Sequence, residues 1–125
     1  MKKVVLLPLA FTVALLASCA SFLAVHEFEG TATVDGVPVP LLFRFTTYEG
    51  LVRGSYFVDG ANDATGNAEG TLSGTTLLMT LTEVDCVYDF EGIVNSENLN
   101  GAYVPRTTGC GAGGTWTLQY TGDGF

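Results

Sequence analysis

From residue 66 to residue 103, apolar side chains fall on positions of one parity, and a Gly, Asn, Asp or Ser pair interrupts about every ten positions. A period of two with turn residues at regular intervals is the pattern of successive antiparallel strands, each with one face buried. The same grammar extends from Phe28 to Tyr120. Eight strands are predicted, over residues 26–34, 39–47, 51–58, 66–73, 76–83, 86–94, 98–104 and 114–120. Their spacing of roughly 12 residues, with mostly short connections, predicts an all-β domain: one antiparallel up-and-down meander closed into a barrel.

Parity also assigns the faces. Leu41, Phe43 and Phe45 are expected inside, as are Val52, Tyr56 and Val58, Ala68 and Leu72, and Leu77, Met79 and Leu81. Tyr88, Phe90 and Val94, Leu99 and Tyr103, and Trp116, Leu118 and Tyr120 continue the same face. Gly54, Gly70, Gly92, Gly101 and Gly114 fall inward too, where a small closed barrel must bend sharply. Asp35-Gly36 is the strongest hairpin dipeptide in the chain. Pro38 and Pro40 are expected to confine the start of the second strand to an unpaired or edge position. Glu-Gly recurs at Gly30, Gly50, Gly70 and Gly92, in steps of 20, 20 and 22 residues, about two strands per step. Of these pairs Glu49-Gly50 reads as a turn and the others as strand.

Before the strands, Lys2 and Lys3 precede an apolar run over residues 4–16, followed by Leu16-Ala17-Ser18-Cys19. A 13-residue helix covers roughly 20 Å, short of the ~30 Å hydrocarbon layer, so the run reads as a targeting leader and not a permanent span. The four residues ending at Cys19 resemble the lipobox of bacterial lipoproteins. That resemblance implies cleavage before Cys19, lipid on its thiol, and, with Ala20 next instead of Asp, delivery to the outer membrane where the cell has one. Ordinary cleavage after Ala20 is the competing reading, because Ser18-Cys19-Ala20 also fits the small-x-small rule. The expected organisation is a signal peptide over 1–18, a tether over 19–25 spanning at most about 20 Å, and a barrel over 26–125.

Charge narrows the partners. None of the 13 acidic residues precedes residue 27, and only Arg44, Arg53 and Arg106 follow the leader, so the mature charge is 3 − 13 = −10. Nucleic acid is excluded as a partner, since phosphate binding needs clustered Lys and Arg. With Cys19 assigned to lipid, Cys86 and Cys110 remain as a pair in an oxidising setting, and a disulfide between the ends of the sixth and seventh strands is expected. Two Cys without a nearby His are a poor zinc site. Asp59, Asn62 and Asp63 invite a calcium reading, but Ala61 and Ala64 occupy positions where such a loop needs ligands or Gly, so a hairpin turn is the better account.

No catalytic residues are identified. The sole His, His26, has no Gly-x-Ser-x-Gly elbow to serve, and Asp89 and Glu91 share a solvated outer face. The protein is expected to be a non-enzymatic monomer without a cofactor, anchored to the membrane through Cys19. One expected function is binding a small apolar ligand inside the barrel, with Phe43, Phe45, Tyr56, Tyr88, Phe90, Tyr103 and Trp116 as candidate lining. The meander, the size and the Gly-rich strands resemble lipocalins and avidins, although a single Trp departs from the several that line an avidin biotin site. The alternative is an acidic surface for a basic protein or peptide, with Asp85, Asp89 and Glu91 sharing a parity along the sixth strand and Glu83 just before it. In size, export route and disulfide use the chain is similar to bacterial lipoproteins that inhibit c-type lysozymes, but Arg53-Gly54-Ser55-Tyr56 does not match their Ser-Gly-x-x-Tyr motif. A third reading gives the negative charge no role beyond solubility. A lipid-facing pore is excluded by outward Asn67, Glu69, Thr71, Thr80, Asp89 and Glu91.

Overall fold

Two tight turns start the strand order. In the computed structural model, which describes residues 25–60 and 63–123, Asp35 and Gly36 take φ of 51° and 79°, and Glu49 and Gly50 take 51° and 81°. Positive φ at both central residues gives a turn whose twist matches that of its flanking strands. These turns join β1 (Val25–Val34) to β2 (Val37–Tyr48) and β2 to β3 (Leu51–Val58). There follow β4 (Ala64–Ser73), β5 (Thr76–Thr82), β6 (Val87–Val94), β7 (Asn98–Pro105) and β8 (Gly114–Asp123). Each strand pairs antiparallel with its neighbours in sequence, and β8 returns to β1, closing an eight-stranded meander barrel. This is the architecture that the strand spacing predicts, and it is consistent with a lipocalin-like barrel. Cys19 and the tether as far as residue 24 lie outside the described residues, as do Ala61 and Asn62.

The prolines do not delay β2, which begins at Val37 and pairs Pro38 with Thr33 and Pro40 with Thr31. The physical reason is one-sided. The ladder to β3 begins only at Leu41, and the Pro40 carbonyl accepts from the Asp59 N–H at 3.0 Å. Within a strand the N–H and C=O of one residue point the same way. The missing donors of Pro38 and Pro40 therefore face the β3 side, where the ladder ends, and the β1–β2 ladder keeps its bonds.

Every apolar side chain expected inside from Leu41 to Leu118 is buried or packed against the core. β1 adds Phe28 and Ala32. Trp116 sits at the centre, 2 % exposed, with Phe43, Tyr56 and Phe90 at ring-centroid distances of 5.3, 5.4 and 4.7 Å. Phe43 continues through Phe45 to Phe28 in a stacked row. Tyr120 departs from expectation: it opposes Phe28 but stands at the end of the barrel, 38 % exposed. Beside it the register shifts by one residue between Glu27 and Phe28, leaving Thr121 unopposed. The Thr121 hydroxyl donates to the Glu27 carbonyl at 3.1 Å, which ties the bulge down and lets β8 run to Asp123.

Closing eight strands around so small a core brings neighbouring backbones close to the inner face. A Cβ on Gly70 would lie 1.8 Å from the Leu78 carbonyl oxygen, and one on Gly54 2.2 Å from that of Arg44. Both clashes are with backbone, which cannot swing aside. Gly70→Ala is therefore expected to destabilise the barrel toward the upper end of the about 1–3 kcal/mol typical of overpacking. Urea unfolding midpoints of the two proteins measure this, and an unchanged midpoint would refute the crowding.

Candidate functional site

The connections divide the barrel into two unlike ends. The β2–β3, β4–β5 and β6–β7 turns lie at one end, together with Val25 and Asp123. The other end carries the β1–β2 turn and the three longer connections, over residues 59–63, 83–86 and 106–113. There Cys86 and Cys110 form the expected disulfide, with Cα atoms 5.9 Å apart. It joins the β5–β6 connection to the β7–β8 connection. The second of these is also held to β6, where the Val87 carbonyl accepts from the Arg106 N–H at 2.7 Å and the Val87 N–H donates to Thr107 Oγ1 at 3.0 Å. These bonds fix the 106–113 segment as a lip over the barrel mouth.

Beneath the lip is a cup of about 280 Å³. Trp116 forms its floor, while Tyr56, Tyr88 and Tyr103 stand in its wall and Asp35 and Glu83 at its rim. Its chemistry follows from how the tyrosines are held. Gly66 makes room for the first, because a Cβ there would lie 2.4 Å from the Tyr56 ring. The Tyr56 hydroxyl then donates to Glu83 Oε2 at 2.7 Å. The Tyr103 hydroxyl donates to the Thr33 carbonyl at 2.5 Å, and its ring meets that of Tyr88 edge to face at 5.3 Å. Burial, reinforced by the Glu83 carboxylate, pushes the Tyr56 hydroxyl far above its ordinary value. Burial pushes Tyr103 up to about 12, with Tyr88, Asp35 and Glu83 adding to it. Tyr88 is raised by burial and then by Glu83 and Asp35. All three therefore stay protonated at neutral pH.

The candidate ligand residues thus fall into two groups. Tyr56, Tyr88, Tyr103 and Trp116 line the cup. Phe43, Phe45 and Phe90 lie on the far side of Trp116 in the packed core. The barrel is filled in the half nearer Val25 and Asp123 and hollow in the half beneath the lip.

The four candidate partner-binding carboxylates are not brought together. Glu83 is half-buried and turned to Tyr56, and Asp85 stands exposed in the β5–β6 connection, since β6 begins at Val87 and not at Cys86. Asp89 is paired with Arg106, whose guanidinium holds its carboxyl below the ordinary range. Glu91 remains exposed on the outer wall across from Leu78. Asp35 was legible only as a turn residue, and nothing in strand periodicity links it to the cup. Its placement at the same end as Cys86 and Cys110 was the available signal. A wider hollow of about 610 Å³ runs over Leu42, Arg44, Ser55 and Phe57 on the outer wall, but it is more open to solvent than the cup.

Among the described residues no group of three or more His, Cys, Asp or Glu could hold a metal ion. Comparisons with protein-family models, with curated proteins and with solved structures find no match.

Two outcomes follow from this end of the barrel. Reducing Cys86–Cys110, which are 24 residues apart, is expected to lower stability by about 3.5 kcal/mol on the chain-entropy account, read from urea midpoints with and without thiol. The tyrosines set the alkaline limit. A hydroxyl raised on folding stabilises the fold fully below its unfolded value and loses that contribution as pH rises through the folded one. For Tyr103 that window runs from 10.0 to about 12. Stability should begin to fall near pH 10.0 and fall more shallowly in Tyr103→Phe.

Proposed function

We propose that the protein is a non-enzymatic lipoprotein of the bacterial cell envelope whose barrel binds a small, largely apolar ligand in the cup above Trp116. The observation that carries this reading is the part-enclosed hollow itself. Tyr56, Tyr88 and Tyr103 stand in its wall beside Val58, Ala64 and Leu81, its floor is the one Trp of the chain, and a disulfide-held lip overhangs it. Apolar walls with a few convergent polar groups are the usual composition of a ligand site. At about 280 Å³ the cup falls just under the usual range of ligand pockets, so its occupant is small.

The lipoprotein part rests on the basic leader, its apolar run and the lipobox-like Leu16-Ala17-Ser18-Cys19. Barrel geometry agrees with it. Val25 begins β1 at the end opposite the cup, so a lipid on Cys19 would hold the closed end toward the bilayer and leave the mouth facing away. A second reading is favoured by the mouth's charge. Asp59 and Asp63 flank the β3–β4 connection and Asp85 stands exposed beside the disulfide, which suits a basic protein docking over the lip.

Both parts are open to direct test. Exported protein beginning at residue 20 should carry a reproducible adduct in native mass spectrometry that is lost on denaturation. Bare, disulfide-bonded monomer would remove the ligand reading and leave the basic partner. The full chain expressed in bacteria should incorporate labelled palmitate and fractionate with membranes, and Cys19→Ala should abolish both. Failure of the unaltered chain to take up label would remove the lipid anchor.

A further inference from the structure

We propose that the cup selects organic cations: a small amine or quaternary ammonium group carried on an apolar body. The inference rests on the reading of the cup as a ligand site and names the chemistry of its occupant. Four features of the cup lead to it.

The first is aromatic. Tyr88 and Tyr103 meet at 89° and Tyr56 and Trp116 at 62°, so rings of differing orientation bound one small space. The faces of such rings are electron-rich and attract a cation placed against them, most strongly when water is excluded. The second is charge. Glu83 and Asp35 line the rim, and both lie near enough to disfavour ionisation of Tyr88 and of Tyr103. Among the described residues no cationic side chain lines the cup, and Arg44, Arg53 and Arg106 are paired with Glu27, Glu69 and Asp89 elsewhere on the barrel.

The third feature is the direction of the hydrogen bonds. The hydroxyl protons of Tyr56 and Tyr103 are already given to Glu83 and to the Thr33 carbonyl. What those groups have left to offer is acceptor capacity, in the phenolic oxygens and the carboxylate. A ligand that brings donors or positive charge is matched by these groups. The fourth is desolvation. A neutral ligand filling the cup would take water from the cup side of the half-buried Glu83, which also borders the open outer hollow, and leave that side without a partner, an unfavourable exchange for a carboxylate. A cation compensates that loss. A metal ion is a poorer fit, because calcium takes six to eight oxygen ligands and only two carboxylates line the cup.

The test pairs a cation with its neutral isostere. The chain, expressed with its own leader and purified as the host processes it, is titrated calorimetrically with benzyltrimethylammonium and with neopentylbenzene (2,2-dimethylpropylbenzene), which has the same shape without the charge. The expected result is at least about tenfold tighter binding of the cation. Glu83→Gln, which keeps an acceptor for Tyr56, should narrow that ratio several-fold while leaving the neutral compound's affinity unchanged or improved. Tyr88→Leu should weaken the cation more than the isostere. Asp35→Asn preserves a residue type that tolerates positive φ, and serves as a second charge variant should Glu83→Gln fail to fold. Equal or tighter binding of the neutral compound overturns the cation preference and leaves the cup as an apolar ligand site. Binding of neither compound overturns the cation preference, and together with a bare protein in native mass spectrometry it overturns the ligand site as well.

Discussion

The ladder between β1 and β8 is the constraint on which the rest depends. By closing the sheet it removes both edges, so every strand has two neighbours and none offers an open template for another chain. Closure also fixes how much can go inside. Eight strands leave an interior just wide enough for side chains or for one small molecule, and this chain divides that space lengthwise. Phe28, Phe45 and Phe43 stack up from the end that carries Val25 and Asp123, and Trp116 completes the filled half. Above Trp116 the side chains no longer meet across the axis. The tight curvature that closure imposes is met on the inner face at Gly54 and Gly70, where backbone of the next strand occupies the place of a Cβ.

Much of the architecture was legible because period-two patterning and turn chemistry are local. Ala68 and Leu72 alternate with Asn67, Glu69, Thr71 and Ser73, Asp35-Gly36 and Glu49-Gly50 hold positive φ, and the structure follows both signals. What escaped depended on partners distant in sequence. Pro38 and Pro40 fit inside a paired strand because β3 stops short on the side their missing donors face, and the sequence of β2 alone does not state where β3 stops. Tyr120 kept its inward parity, but strand stagger carried it past the end of the core. Cys86 and Cys110 were readable as a pair, since few other fates exist for two cysteines in that setting.

The site was legible as a set of aromatic residues but not as a place. Parity put seven of them inside without saying how far along the axis each would stand, and height separates Tyr56, Tyr88 and Tyr103 from Phe43, Phe45 and Phe90. Glu83 illustrates the same limit. Its place just before the ladder of Asp85, Asp89 and Glu91 suggested an outer position, yet it lies beyond the end of β5, where strand alternation no longer decides direction. A bond to Tyr56, 27 residues away, decides it instead.

Trp116 has a consequence that comes from its being the one Trp of the chain. Indole emission responds in colour and yield to the polarity and quenchers around the ring, and this ring separates the packed half of the barrel from the hollow half. Excited at the red edge, where tyrosine does not absorb, the protein emits from the floor of the cup alone. The chain carries a single built-in optical probe at the boundary between its solid and its vacant interior, so filling or emptying the cup can be followed without attaching any dye.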